Sequence, residues 1–270
     1  MTETKSLHIM PTRKTRLRRL HLFLLLLLGC SQATGPATLF PYRARGWNKM
    51  PGVTVLGQES DSRNQWVNDA IDFWNNQLAE IGSGFRFGPV RFVSVSLSPN
   101  ELMTLSRATL DGQSALVGPP SGLAEIEGDL IIALSDGSFV SFAMAFPEIG
   151  KRLVAIRNAH DNPVRFTNVG RNVMAHELGH AIGLGHNNDA SKLMCGRPAT
   201  CRPDAFRSNV ERFFPLLEEE KQILLKLYPP TWKGAQTNQK YRFHWVWICG
   251  ISAAVTTIRP LGHRAWKSND

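Results

Sequence analysis

The chain has 270 residues, long enough to bury a substantial core in one large domain or two small ones, and its apolar share of 43% is that of a globular protein. The net charge of +9 is unevenly placed: residues 1–29 carry six Lys/Arg against one Glu, residues 231–270 carry six against one Asp, and the stretch between sums to −1. The basic charge thus belongs to the two ends, which argues against a nucleic-acid-binding face on the intervening domain.

In chain order, "PTRKTRLRRLH" is a positive leader and "LFLLLLLG" a short apolar run ending at the small residue Gly29. Residues 1–29 therefore read as a secretory signal, its apolar run too short for a membrane-spanning helix. The ending "LLGC" resembles a bacterial lipobox, which implies lipidation of Cys30, with Ser31 favouring the outer membrane; cleavage after Ala33 or Ala37 is the plain-secretion alternative. Export permits disulfides. With Cys30 lipidated, Cys195 and Cys201 are the natural pair across "CGRPATC" and Cys249 is left over; two free thiols, or a bond to Cys249, stay open as alternatives.

Residues 30–45 read as a tether. "VTVLG" alternates like a strand. "DSRNQWVNDAIDFWNNQLAEIG" places Trp66, Val67, Ala70, Ile71, Phe73, Trp74 and Leu78 near helical spacing, with Gly82 at the end; these aromatics read as core. "FRFGPVRFVSVSL" is β-rich, Gly128 to Ser135 is a buried strand, and "SFVSFAMAF" and "RLVAIRNA" are two strands joined by a turn at 147–150. A last helix is predicted over "PLLEEEKQILLKLY", with Pro215 in the first turn and three glutamates at its positive end. The whole describes one α+β domain over 46–229. Residues 230–270 form an extension whose apolar stretch, "FHWVWICGISAAVTTI", falls short of a membrane span.

The stretch "NVMAHELGHAIGLGHNND" gathers three of the chain's eight histidines. Residues four apart share a helix face, so His176 and His180 can present two imidazoles to one ion, with Glu177 close by and not required to ligate. Gly183 can take a positive φ, end the helix and turn the chain; Gly185 leaves room for the return, and His186 arrives as a third ligand. Three protein ligands leave a fourth position for water, the arrangement of a catalytic zinc. The five-residue pattern His-Glu-x-x-His-x-x-Gly-x-x-His arises by chance here with a frequency on the order of 10⁻⁵.

With "VMAHELGHAIGLGH" and the "KLM" that puts Met194 eight residues on, the chain resembles the metzincin zinc peptidases, and among them the matrixin-like group. "VTVLG", "AIDFWNN", "GDLIIAL", "FAMAFP" and "EEEKQILLKLY" fall in matrixin order. The resemblance implies a twisted, mainly parallel sheet with an edge strand over the cleft, an active-site helix and a C-terminal helix. It implies one catalytic zinc on His176, His180 and His186, a Met-turn at Met194, and Glu177 as general base. Peptide substrate would lie along an edge strand in Phe139–Phe146, beside a pocket walled by the segment after Met194. Departures limit what transfers. Met144 replaces the histidine that binds a second, structural zinc, and Asp129, Asp136, Asp161 and His160 are the only obvious ligands nearby, which speaks against that zinc and the family's calcium. Asn187 stands where serine is usual, no tyrosine stands two after Met194, and no cysteine-switch propeptide is found. The expectation is a monomeric, exported zinc endopeptidase, lipid-anchored to the envelope and active from the start, with no nucleic-acid partner. A secreted, non-catalytic zinc-binding or adhesion module is the rival, and a hydrolase of non-peptide amides a third reading.

Overall fold

The computed structural model describes residues 39–40, 46–197 and 203–234. The signal segment, Cys30, Cys201, Cys249 and the extension from residue 235 onward lie outside the described residues. The elements run β1 (Leu39–Phe40), β2 (Val53–Leu56), α1 (Arg63–Glu80), β3 (Val90–Val93), α2 (Pro99–Leu110), β4 (Leu130–Leu134), β5 (Phe142–Phe146), β6 (Lys151–Ile156), α3 (Thr167–Ala181), β7 (His186–Asn187) and α4 (Glu218–Leu227). No described helix is long and apolar enough to cross a membrane.

Five strands make one sheet in the order β3-β2-β4-β6-β5, parallel throughout except for β5, which pairs antiparallel with β6 at one edge. Side chains alternate across each strand. Leu130, Ile132 and Leu134 enter a core with α1 and α3, while Ile131 and Ala133 enter a second core with α2. Covering both faces is why β4 reads as an unbroken apolar run. The fold is thus a mixed α/β arrangement around a mostly parallel sheet. Trp66, Val67, Ala70, Ile71, Trp74 and Leu78 of α1 are buried, and Phe73 stacks on Phe213 at the rim.

Four departures from the sequence reading have identifiable causes. The edge strand starts at Phe142 rather than Phe139, because the Ser106 hydroxyl from α2 bonds both backbone groups of Val140, at 3.1 Å from its N–H and 2.7 Å from its carbonyl. Helix α2 has no counterpart in the sequence reading, although Ser98 caps it by accepting from the Glu101 N–H and Pro99 opens it, a usable start signal. The last helix begins at Glu218, three residues after Pro215, because the Pro215 carbonyl accepts from Leu193 N–H at 3.0 Å and Leu217 is extended. Within the expected tether, Leu39–Phe40 pair antiparallel with β7.

Candidate metal centre

Helix α3 is held from three sides before it presents any ligand. Trp74 Nε1 of α1 donates to the Ala175 carbonyl at 2.8 Å, one residue before His176. Asn172, one turn earlier, donates to the Arg212 carbonyl and accepts from Phe214 N–H. At the far end the Tyr228 hydroxyl donates to the Ile182 carbonyl at 2.8 Å. Gly183 then adopts φ of 107°, a left-handed conformation that ends the helix and returns the chain toward it.

The return brings His186 opposite His176 and His180. Each imidazole faces a backbone carbonyl through Nδ1: Leu193 for His176 at 2.7 Å, Leu184 for His180 at 2.9 Å and Arg197 for His186 at 2.6 Å. A carbonyl has no proton to give, so all three Nδ1 atoms carry the hydrogen and all three Nε2 atoms present lone pairs. Those Nε2 atoms converge, with separations of 3.2, 3.2 and 2.9 Å. Burial, then the neighbouring His186, depresses His176 to about 3; burial first and the other two rings next hold His180 well below the ordinary range, and burial lowers His186. Three lone pairs pointing at one spot repel one another unless a cation occupies it. Nitrogens each about 2.0–2.1 Å from one tetrahedral ion stand about 3.3 Å apart, close to what is observed. The donor set fits zinc, and its carbonyl partners are the outer shell that metal-ligating histidines use.

Glu177 is 6% exposed, and among the described residues no protein group donates to its carboxylate. Burial alone lifts its pKa to about 8. Its oxygens are not among the fully buried side-chain atoms that lack a partner, so what exposure the residue keeps leaves them open to solvent. Met194 is fully buried beneath α3, at the point where a Cβ on Gly179 would fall 2.5 Å from its Sδ and 2.9 Å from Trp74 Cζ2. This is why the helix needs glycine between the two histidines.

After Met194, Gly196 and Arg197 lie against His186, and the Phe206 ring stands tilted to that of His176 with their centroids 5.0 Å apart. Cys195 is disulfide-bonded, and Cys201, its expected partner, lies outside the described residues. What sequence reasoning missed is the anchor of the third ligand. Asn187 is fully buried; its Nδ2 donates to Glu220 Oε1 at 2.8 Å, and Glu220 Oε2 accepts from Leu217 N–H at 2.8 Å. The glutamate run at the start of α4 was legible as a dipole complement, but nothing in it marks Glu220 as the buried member.

Met144 packs in the α2-side core with Leu102 and Leu105. Asp129 bonds Lys49 and the Gly52 N–H, Asp161 bonds Arg157 and Ser138, Asp136 is largely exposed beside Arg63, and the His160 N–H donates to the Asn158 side chain. Among the described residues, His176, His180 and His186 form the only group of three His, Cys, Asp or Glu side chains close enough to share an ion.

No protein-family model matches the chain, and no curated protein is similar to it in sequence. Among solved structures, an archaemetzincin from Methanopyrus kandleri aligns with 65% of this chain and 93% of its own, at 15% identity and a TM-score of 0.35. A zinc-dependent peptidase from Methanocorpusculum labreanum aligns with 64% of this chain and 100% of its own, at 14% identity and a TM-score of 0.33.

Proposed function

We propose that this chain is an exported zinc-dependent endopeptidase of the metzincin type, matrixin-like in its element order. One observation carries the reading: three neutral imidazoles converge their lone pairs beside a buried carboxylate that no described protein group satisfies. His176, His180 and His186 would hold the ion. When bound, zinc supplies Lewis acidity, polarising a scissile carbonyl and lowering the pKa of water from 15.7 toward roughly 7. The three carbonyl-anchored Nδ1–H groups fix each ring's tautomer and aim. A dication nearby favours the ionised form of Glu177, against the burial that raises it. Ionised, Glu177 takes the proton of the attacking water and passes it to the leaving amine. β5 is an edge strand packed near α3, and in this reading it would align an extended peptide by backbone pairing. Export and a lipid anchor at Cys30 are part of the same proposal, supported by the leader and the "LLGC" motif.

The test is Glu177→Gln on the purified chain. An amide cannot accept the proton at neutral pH, so zinc content should hold while digestion of a random peptide library falls by at least about 10²-fold. A variant retaining most of its activity would require another base. A wild-type chain that binds zinc and cleaves nothing would instead favour a non-catalytic zinc-binding module.

A further inference from the structure

His186 stands outside the helix that presents the other two histidines, so loop contacts and not helical spacing set its aim. The tripeptide Cys195–Gly196–Arg197 supplies several of them. The Arg197 carbonyl accepts from His186 Nδ1–H at 2.6 Å. Gly196 lies flat against the ring: a Cβ there would fall 2.6 Å from Nε2 and 2.8 Å from Cγ. The Gly196 N–H donates to the Asn187 carbonyl at 3.1 Å, and Cys195 forms a β-bridge with Asn187. Cys195 itself is fully buried and disulfide-bonded. Its partner is one of Cys30, Cys201 and Cys249, all outside the described residues. The cross-link therefore restrains the short segment that orients the third ligand.

We propose that the Cys195 disulfide is a working part of the metal centre, which holds His186 in place so that reducing the bond loosens the ion. This rests on the reading of the three histidines as zinc ligands. A dithiol reductant would act by thiolate attack on one sulfur, giving a mixed disulfide that its second thiol then displaces. The reductant ends as its own disulfide, and Cys195 and its partner end as two thiols, having taken up two electrons and two protons. Without the link, the segment gains conformational freedom that the ordered loop must overcome. The Arg197 carbonyl and the flat face at Gly196 are then no longer fixed. Losing an outer-shell partner of a metal-bound histidine typically costs about 10–100-fold in metal affinity, the size of effect expected here. Zinc retention would thus follow the redox state of the compartment.

The experiment uses the full chain, loaded with zinc in its oxidised form. One portion is reduced with a phosphine, its thiols are alkylated and the reagents removed; both portions are then titrated against a chromophoric chelator. Reduced protein should bind zinc at least about tenfold more weakly. Cys195→Ser should match it and show no further response to reductant. Gly196→Ala, with the disulfide intact, should also weaken zinc by crowding His186, and it decides the matter if reduction unfolds the chain. Equal affinity of oxidised and reduced protein would overturn the proposal, as would unchanged affinity in Gly196→Ala. Absence of zinc from the oxidised wild type would mean that the histidine reading itself has failed, a distinct result.

Discussion

Glu220→Gln tests how α4 holds the third ligand. Glu220 is 1% exposed, and its two oxygens accept from two donors, Asn187 Nδ2 and Leu217 N–H, each at 2.8 Å. Glutamine keeps the shape but has one acceptor oxygen, so one of those donors must face an NH₂ group. Asn187 cannot compensate by turning its amide, because its Oδ1 already accepts from Asp189 N–H at 2.9 Å. One buried donor is left unpaired, at a cost of about 1–3 kcal/mol. The loss reaches the metal centre because Asn187 follows His186 directly and its backbone bonds both Met194 and Gly196. Zinc affinity should fall about tenfold, the low end for an outer-shell change.

A pH signature separates this from a general loss of packing. Burial raises the Glu220 pKa, against the hydrogen bonds from Asn187 and Leu217. A carboxyl with a raised folded value contributes its full share of stability below the usual 4.5 and loses it as pH climbs through the folded value. Glutamine has no such dependence, and where the carboxyl is protonated its hydroxyl oxygen still offers a lone pair to the second donor, which an amide nitrogen does not. The gap between wild type and variant should therefore be widest at the acidic end and narrow as pH rises. Urea unfolding at several pH values, with zinc competition beside it, measures both. A variant within about 0.5 kcal/mol of wild type at every pH, with unchanged zinc affinity, would refute the reasoning.

Stripping zinc with a chelator should lower stability by about 2.7 kcal/mol where free zinc had stood at a hundred times its dissociation constant, and His186→Ala should abolish the response; unchanged zinc content in His186→Ala would remove that residue from the ligand set. Gly179→Ala should cost about 1–3 kcal/mol by forcing its Cβ into Met194 and Trp74, read by denaturation; a neutral result would show that the thioether has room to move. In a bacterial host, a fatty-acid analogue should label the wild type and not Cys30→Ser, and an unlabelled, soluble wild type would identify a plain secretory signal.

Much of this protein was legible in its sequence because the physics involved is local. The i, i+4 spacing of His176 and His180 follows from helix geometry, the stop at Gly183 from its missing Cβ, and the runs at Val53–Leu56 and Leu130–Leu134 from alternation and two-sided burial. The stripe from Trp66 to Leu78 likewise declared a core face. What only the tertiary structure decided are contacts that leave no mark on residue type, most of them between residues well separated in the chain. Leu193, Leu184 and Arg197 offer carbonyls to the three rings, a role that any residue type can fill and no motif records. Glu220 lies 33 residues beyond Asn187, and only the packing of α4 selects it from three adjacent glutamates. The pairing of Leu39–Phe40 with His186–Asn187 has the same cause: a two-residue strand has no periodicity to read, and its partner is found only once the chain has folded. Helical spacing aims two of the ligands, whereas the third is aimed by side-chain and backbone hydrogen bonds whose partners meet only in the folded chain.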